Sequence, residues 1–171
     1  MIYPRVLQIL IKDSPASYKR AAAFTLYRAI VPEKIGPNST VASSTALTLL
    51  HHRFLYFGDS LPDIQASQPG LTPRDALLSV VNLLANTEPS PNLISNLLSP
   101  LIPALYSLSF EVNQYKAADP QLKESVLGLL KSWGKIVDQP DGTRILWSIV
   151  EDDKDWEWNF DIESNFWRRP K

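Results

Sequence analysis

The sequence predicts an all-α protein whose helices stack in consecutive pairs as an α-solenoid. Three observations predict it. A capping side chain stands directly before a proline four times, at Ser14-Pro15, Thr72-Pro73, Ser99-Pro100 and Asp119-Pro120. Beyond these signals apolar residues recur at steps of three and four, the period of one helix face. No segment alternates apolar and polar residues over a strand length, and runs of β-branched residues are missing.

The cap-proline pairs have a mechanical meaning. An N-cap Ser, Thr or Asp accepts from the free amides of the first turn, and a proline at the first helical position gives up an amide that had no partner. In chain order, residues 2–12 form a first short helix. After Pro15 come Tyr18, Ala22, Leu26 and Ala29, with Ala23, Tyr27 and Ile30 beside them, ending near Pro32 and Gly36. From Ser39 the stripe runs through Val41, Leu47, Leu50, Phe54 and Phe57 to a stop at Gly58, and 58–71 is the longest irregular stretch. After Pro73 the stripe is Ala76, Leu77, Val80, Val81, Leu83 and Leu84. After Pro120 it is Leu122, Val126, Leu129, Leu130, Trp133, Ile136 and Val137. A shorter helix follows a turn at Asp141-Gly142, and Gly128 and Gly134 are expected where helices pack closely.

"LISNLLSPLIPALYSL", residues 93–108, is apolar enough to raise the question of a membrane span. A span needs ~20 predominantly apolar residues. This run is sixteen long, carries Ser95, Asn96 and Ser99, and sets its apolar residues in one stripe. A stripe belongs to a core helix. Pro100 and Pro103 would each cost ~3 kcal/mol inside a continuous helix. The expected solution is a break, with one helix ending near Leu98 and Ser99 capping the next.

Taken as pairs, residues 2–12 join 15–31, 39–57 join 73–86, and 91–116 join 120–137. The second members begin at 15, 73 and 120; the shorter interval lies at the edge of the ~40–47-residue period of HEAT and armadillo repeats. Short connections and one-sided helices favour the solenoid; a compact helix bundle is the alternative. Residues 1–150 are thus HEAT-like helical repeats. Residues 151–171 form an acidic C-terminal segment with seven acids against four bases and three of the five tryptophans. Its Trp156, Trp158 and Trp167 are the candidate protein-binding residues, because tryptophan anchors contribute strongly to interfaces. The other reading packs them onto the last helices.

Composition narrows the function. The net charge of −1 offers no global field for nucleic acid. The absence of cysteine leaves no thiol nucleophile, zinc ribbon or disulfide framework. "MIYPRVLQILIKD" lacks the plan of a secretory signal, so the sequon at 38–40 is expected to be chance. His51-His52 are adjacent and point about 100° apart on a helix, which does not suit joint chelation. "GLLKSWGK", 128–135, fails as a phosphate loop, with five residues between its glycines and no hydroxyl after Lys135. The expectation is no enzyme, no metal and no cofactor.

At "LLSPLIPALYSL … DPQLKESVLGLLKSWGKIVD … ILWSIVEDD", about residues 90–158, the chain resembles the HEAT-repeat fungal factors required for nuclear transport of RNA polymerase II, and their animal relatives, the transport-and-Golgi-organisation proteins. The resemblance implies a non-catalytic adaptor in the cytoplasm that shuttles to the nucleus. Its partners would be RNA polymerase II subunits, assembly chaperones and nuclear-pore proteins, with no direct nucleic-acid contact and no membrane span. Members of that family are several times longer, so a fragment of a longer array is implied too. The alternative function, attached to the compact bundle, is binding of an apolar ligand or a vesicle-transport partner.

Overall fold

A computed structural model describes residues 3–33, 36–55, 71–114, 119–151, 156–160 and 166–170; the side chains at 53, 156 and 167–170 fall outside it. Its body is all-α. In order come α1 (Tyr3–Ile11), α2 (Ala16–Ile30), α3 (Pro37–Leu55), α4 (Pro73–Ala85), α5 (Pro91–Leu97), a 3₁₀ turn (Ser99–Leu101), α6 (Ile102–Gln114), α7 (Pro120–Ile136) and α8 (Gln139–Val150). Most of 58–71, together with Phe57, lies outside the described residues.

The helix starts test the cap-proline signal one by one. Thr72 accepts from Asp75 N–H and Asp75 reaches back to Thr72 N–H, a complete capping box before Pro73. Asp119 accepts from Gln121 N–H, and its other oxygen pairs with Arg74 at 3.1 Å, tying the start of α7 to the start of α4. Ser14 does not cap. Pro15 itself occupies the N-cap position, so the hydroxyl stands one residue too far out. Ser99 does not cap either, because its hydroxyl turns inward. Two further helices are capped in the same way: Ser90, before Pro91, accepts from Leu93 N–H, and Asp138 accepts from Asp141 N–H. That second cap starts α8 before Asp141-Gly142, so the expected turn there is the helix's own first turn.

Pairs of helices bury one stripe each, and the stripes form one core. α1 contributes Leu7 and Leu10, α2 Ala22, Ala23, Leu26 and Ile30, α3 Ala46, Leu50 and Phe54, and α4 Ala76, Leu77, Val80 and Leu83. α1 packs on α2 and α4, α2 also on α3 and α4, and α3 on α4. Asn82 Nδ2 donates to Leu10 O at 2.7 Å, a polar stitch from α4 to the end of α1. Tyr18 and Val41, expected inside, are exposed, because they stand off the faces that Ala22, Leu26 and Ile30 on α2, and Ala46, Leu50 and Phe54 on α3, turn to the core.

The stretch 91–114 is helical over 24 residues when its break is bridged, long and apolar enough to cross a membrane by length and composition. Its inner stripe is nonetheless the centre of the core: Leu93, Ile94, Leu97, Leu98, Leu101, Ile102, Leu105, Leu108 and Val112 are all buried against neighbouring helices. The break falls where Pro100 removes an amide. Leu101 and Ile102 N–H both turn to Leu98 O, tightening the chain into the 3₁₀ turn. α6 then packs on α7 and α8.

The glycines behave differently from expectation. A Cβ on Gly128 or Gly134 would meet nothing within 4 Å, so neither is a close-packing position. Gly142 is the buried one; a Cβ there would come within 3.3 Å of Val137 Cγ1.

The C-terminal segment corrects the expectation that no strand is present. Trp156–Phe160 (β1) and Phe166–Pro170 (β2) form an antiparallel hairpin, with Phe160 opposite Phe166 and Trp158 opposite Arg168. "WEWNF" does alternate large apolar and polar residues; at five residues it is short, but it is a strand length. β1 lies on α6 and β2 on α4, which brings the chain end back over the body.

Candidate protein-interaction site

Three places in the molecule gather aromatic or polar side chains, and each is built by the local backbone. The first is the tryptophan segment. Trp158 is buried, with its ring edge-on to Phe166 at 5.7 Å between centroids, and it belongs to the core cluster. Its place is set by β1, which turns residue 158 to the inner face of the hairpin. The side chains of Trp156 and Trp167 lie outside the described residues.

The second is the helix break. The Ser99 hydroxyl is buried, accepts from Trp133 Nε1–H at 3.0 Å and donates to Asp141 Oδ2 at 2.9 Å. Arg144 pairs with the other Asp141 oxygen. Three elements therefore meet on one hydroxyl: the 3₁₀ turn, α7 and α8. The Arg144 guanidinium holds the Asp141 carboxyl below its ordinary pKa, with the Ser99 and Ser95 hydroxyls adding to it and burial opposing. Nearby, His51 on α3 is buried, and its Nε2–H donates to Leu97 O at 2.9 Å. That carbonyl is available because Leu101 N–H has turned to Leu98 O. Burial pushes the imidazole pKa down, against the opposing effect of the Leu97 carbonyl. The ring is neutral and engaged, and it holds the break rather than a reactive proton. Among the described residues no three His, Asp or Glu side chains converge as a metal site would require.

The third is a groove of about 400 Å³ between the end of α2, the start of α3 and α5. Ile30, Val31, Pro32 and Leu47 give it an apolar strip; Ser39, Thr40, Ser43, Ser44, Asn92 and Asn96 give it hydroxyls and carboxamides. It carries no charged side chain. The hydroxyls are held by their own backbone: Ser39 accepts from Gly36 N–H at 2.8 Å and Thr40 donates to Gly36 O at 3.1 Å. Asn92 and Asn96 are different. Both are exposed on α5, one helical turn apart, with no side-chain hydrogen bond to any described residue. The sequence drew attention to the tryptophans and histidines and passed over these asparagines. Their i, i+4 spacing was the available signal, and only the neighbouring α2–α3 wall makes it a groove.

Exposed apolar side chains gather on three helices: Tyr18 and Phe24 on α2, Tyr106 and Phe110 on α6, and Leu146, Trp147 and Val150 on α8. α8 buries only Gly142. No protein-family profile, no curated protein and no solved structure matches this chain.

Proposed function

We propose that the protein is a non-catalytic helical-repeat adaptor that binds an extended segment of a partner protein in the α2–α3–α5 groove. The observation that carries this reading is the pair of unengaged carboxamides, Asn92 and Asn96, on one wall of an uncharged groove. Residues four apart on a helix are separated by ~6 Å along its axis. An extended peptide presents the same side of its backbone every second residue, ~6.6–6.8 Å apart. Each carboxamide offers a donor and an acceptor, the complement of one peptide unit, and the apolar strip would receive small side chains between them. The groove's Ile, Val, Pro and Leu mixed with hydroxyls suit a peptide better than a purely apolar ligand.

The stacked-pair architecture is supported by the order of contacts, in which α2 meets α3 and α4 meets α7. By the resemblance of residues 90–158, the partners are RNA polymerase II subunits, their assembly chaperones and nuclear-pore proteins. Affinity purification from cell extract, with wild type beside the Asn92→Ala/Asn96→Ala double variant, tests both layers. Recovery of those partners by wild type and their loss with the variant supports the reading. Equal recovery, or none of them, sinks it.

One observation favours the compact bundle: α2 also reaches α5, past the α3–α4 pair. A radius of gyration near ~16 Å by solution scattering is what a compact chain of this length gives; a clearly larger value supports the stacked array.

A further inference from the structure

Ser43, Leu47 and His51 stand at successive i, i+4 steps on α3 and so share one stripe of the helix. They serve the α2–α3–α5 groove in three ways. Ser43 Oγ–H donates to Ile30 O in a long bond of 3.4 Å, where α3 packs on α2. Both residues line the groove, so the end of α2 and the start of α3 make a single wall. Leu47, one turn further along, lies on the groove itself. One more turn on, the buried His51 stands outside the lining and donates Nε2–H to Leu97 O at 2.9 Å. Leu97 directly follows Asn96, so this bond leads from α3 to the opposite wall, α5.

The α5 wall is the one whose place needs fixing. α5 is only seven residues long, and the 3₁₀ turn ends it. A continuous helix would bind Leu97 O to Leu101 N–H, but here that N–H goes to Leu98 O. Leu97 is fully buried, and a buried carbonyl without a donor is costly. His51 supplies the donor, from the helix that carries the facing wall. With the bond made, the end of α5 is held against α3, and Asn96 and Asn92 are carried with it. Without it, the carbonyl is satisfied only by a shift of α5 or by water entering the seam. Either changes the gap between the walls.

We propose that His51 is a positioning residue of the groove, its bond to Leu97 O setting the α5 wall, and with it Asn92 and Asn96, at a fixed distance from α3. Recognition of an extended segment then depends on His51, a consequence that rests on the peptide-site function proposed above. The imidazole meets no partner; it acts through the Leu97 carbonyl. Gln keeps a neutral N–H donor at the end of a side chain of similar reach, whereas Leu fills similar space and donates nothing.

The chain has no cysteine, so nitroxide labels go cleanly onto Ser44→Cys and Asn92→Cys, exposed positions on the two walls. Their dipolar broadening is compared in the wild-type, His51→Gln and His51→Leu backgrounds, with helicity checked by circular dichroism. Wild type and His51→Gln are expected to give the same separation. His51→Leu is expected to displace or widen it by about 1–2 Å, the scale of a helix shift. His51→Met takes its place if His51→Leu loses helicity. A bond that merely stabilises would lower the urea midpoint of His51→Leu and leave the separation unchanged. That result, or a His51→Gln separation matching His51→Leu, overturns the proposal. The labels read the walls with no partner present, so a failed purification from extract sinks the peptide site and leaves the positioning role standing. Where wild type recovers partners, His51→Gln should keep them and His51→Leu lose them; full recovery with His51→Leu overturns the dependence of binding on His51.

Discussion

Thr72-Pro73 and Ser99-Pro100 are the same sequence signal with opposite outcomes. At Thr72 the chain enters α4 from an extended residue, the hydroxyl meets the free amide of Asp75, and a capping box closes. At Ser99 the chain is already helical through Leu97, and the preceding residue has helical torsions. No free first turn exists there for the hydroxyl to cap. It is instead buried, and it bridges Trp133 to Asp141. A cap signal is local, but whether a helix begins at that point depends on what the preceding residues have already formed.

Substitutions that separate these two roles follow in order of expected size. Ser99→Ala stays close in volume and removes both bonds, leaving the buried Trp133 N–H without its acceptor. An orphaned buried donor costs ~1–3 kcal/mol, and the lost bond to ionised Asp141 adds to it, so urea unfolding should show a loss of about 2–4 kcal/mol. A loss under about 1 kcal/mol would mean that the network contributes little. Trp133→Phe removes the donor while keeping most of the ring, and a loss of about 1–2 kcal/mol is expected. In a double-mutant cycle with Ser99→Ala the two should be non-additive by ~0.5 kcal/mol or more; full additivity would show that they do not act on each other.

Thr72→Ala should cost about 1 kcal/mol through the lost cap. Ser14→Ala, at the cap-proline pair where no cap forms, should stay within ~0.5 kcal/mol. Equal effects at the two positions would undo the contrast between an engaged and an idle signal.

The smallest effects are those of pH. Burial holds the His51 pKa below its ordinary 6.5, so the unfolded chain takes up this proton before the folded one. Stability therefore declines as pH falls below 6.5 and levels off once the folded imidazole is protonated. Asp141 also has its pKa lowered, chiefly by Arg144, so its contribution is complete above 3.8 and is lost as pH falls through the folded value. In urea midpoints measured across pH, His51→Gln should remove the decline in the upper window alone, and Asp141→Asn the decline in the lower. A His51→Gln profile identical to wild type between neutrality and pH ~5 would show that the histidine is not the source.

Much of the fold was legible in the sequence because a helix advertises itself locally. The apolar stripes placed the helices to within a few residues, and Pro100 placed the break in the stretch 93–108. The misses share a cause. Ser90-Pro91 and "WEWNF" were present in the sequence, the first hidden among polar residues and the second at the short end of strand length. Asn92 and Asn96, the carboxamides of the candidate groove, look like ordinary surface residues until the end of α2 and the start of α3 stand opposite them.

The sequence by itself determined the helical class, the order of the helices and the burial of 93–108, since period, caps and prolines act over one or two turns of chain. Tertiary structure alone decided what the polar groups do. His51 reaches Leu97 across 46 residues, Trp133 reaches Ser99 across 34, and Asp141 reaches the same hydroxyl across 42. A hydrogen bond needs its partners within about 3 Å, and such proximity between distant residues exists only once the helices have packed.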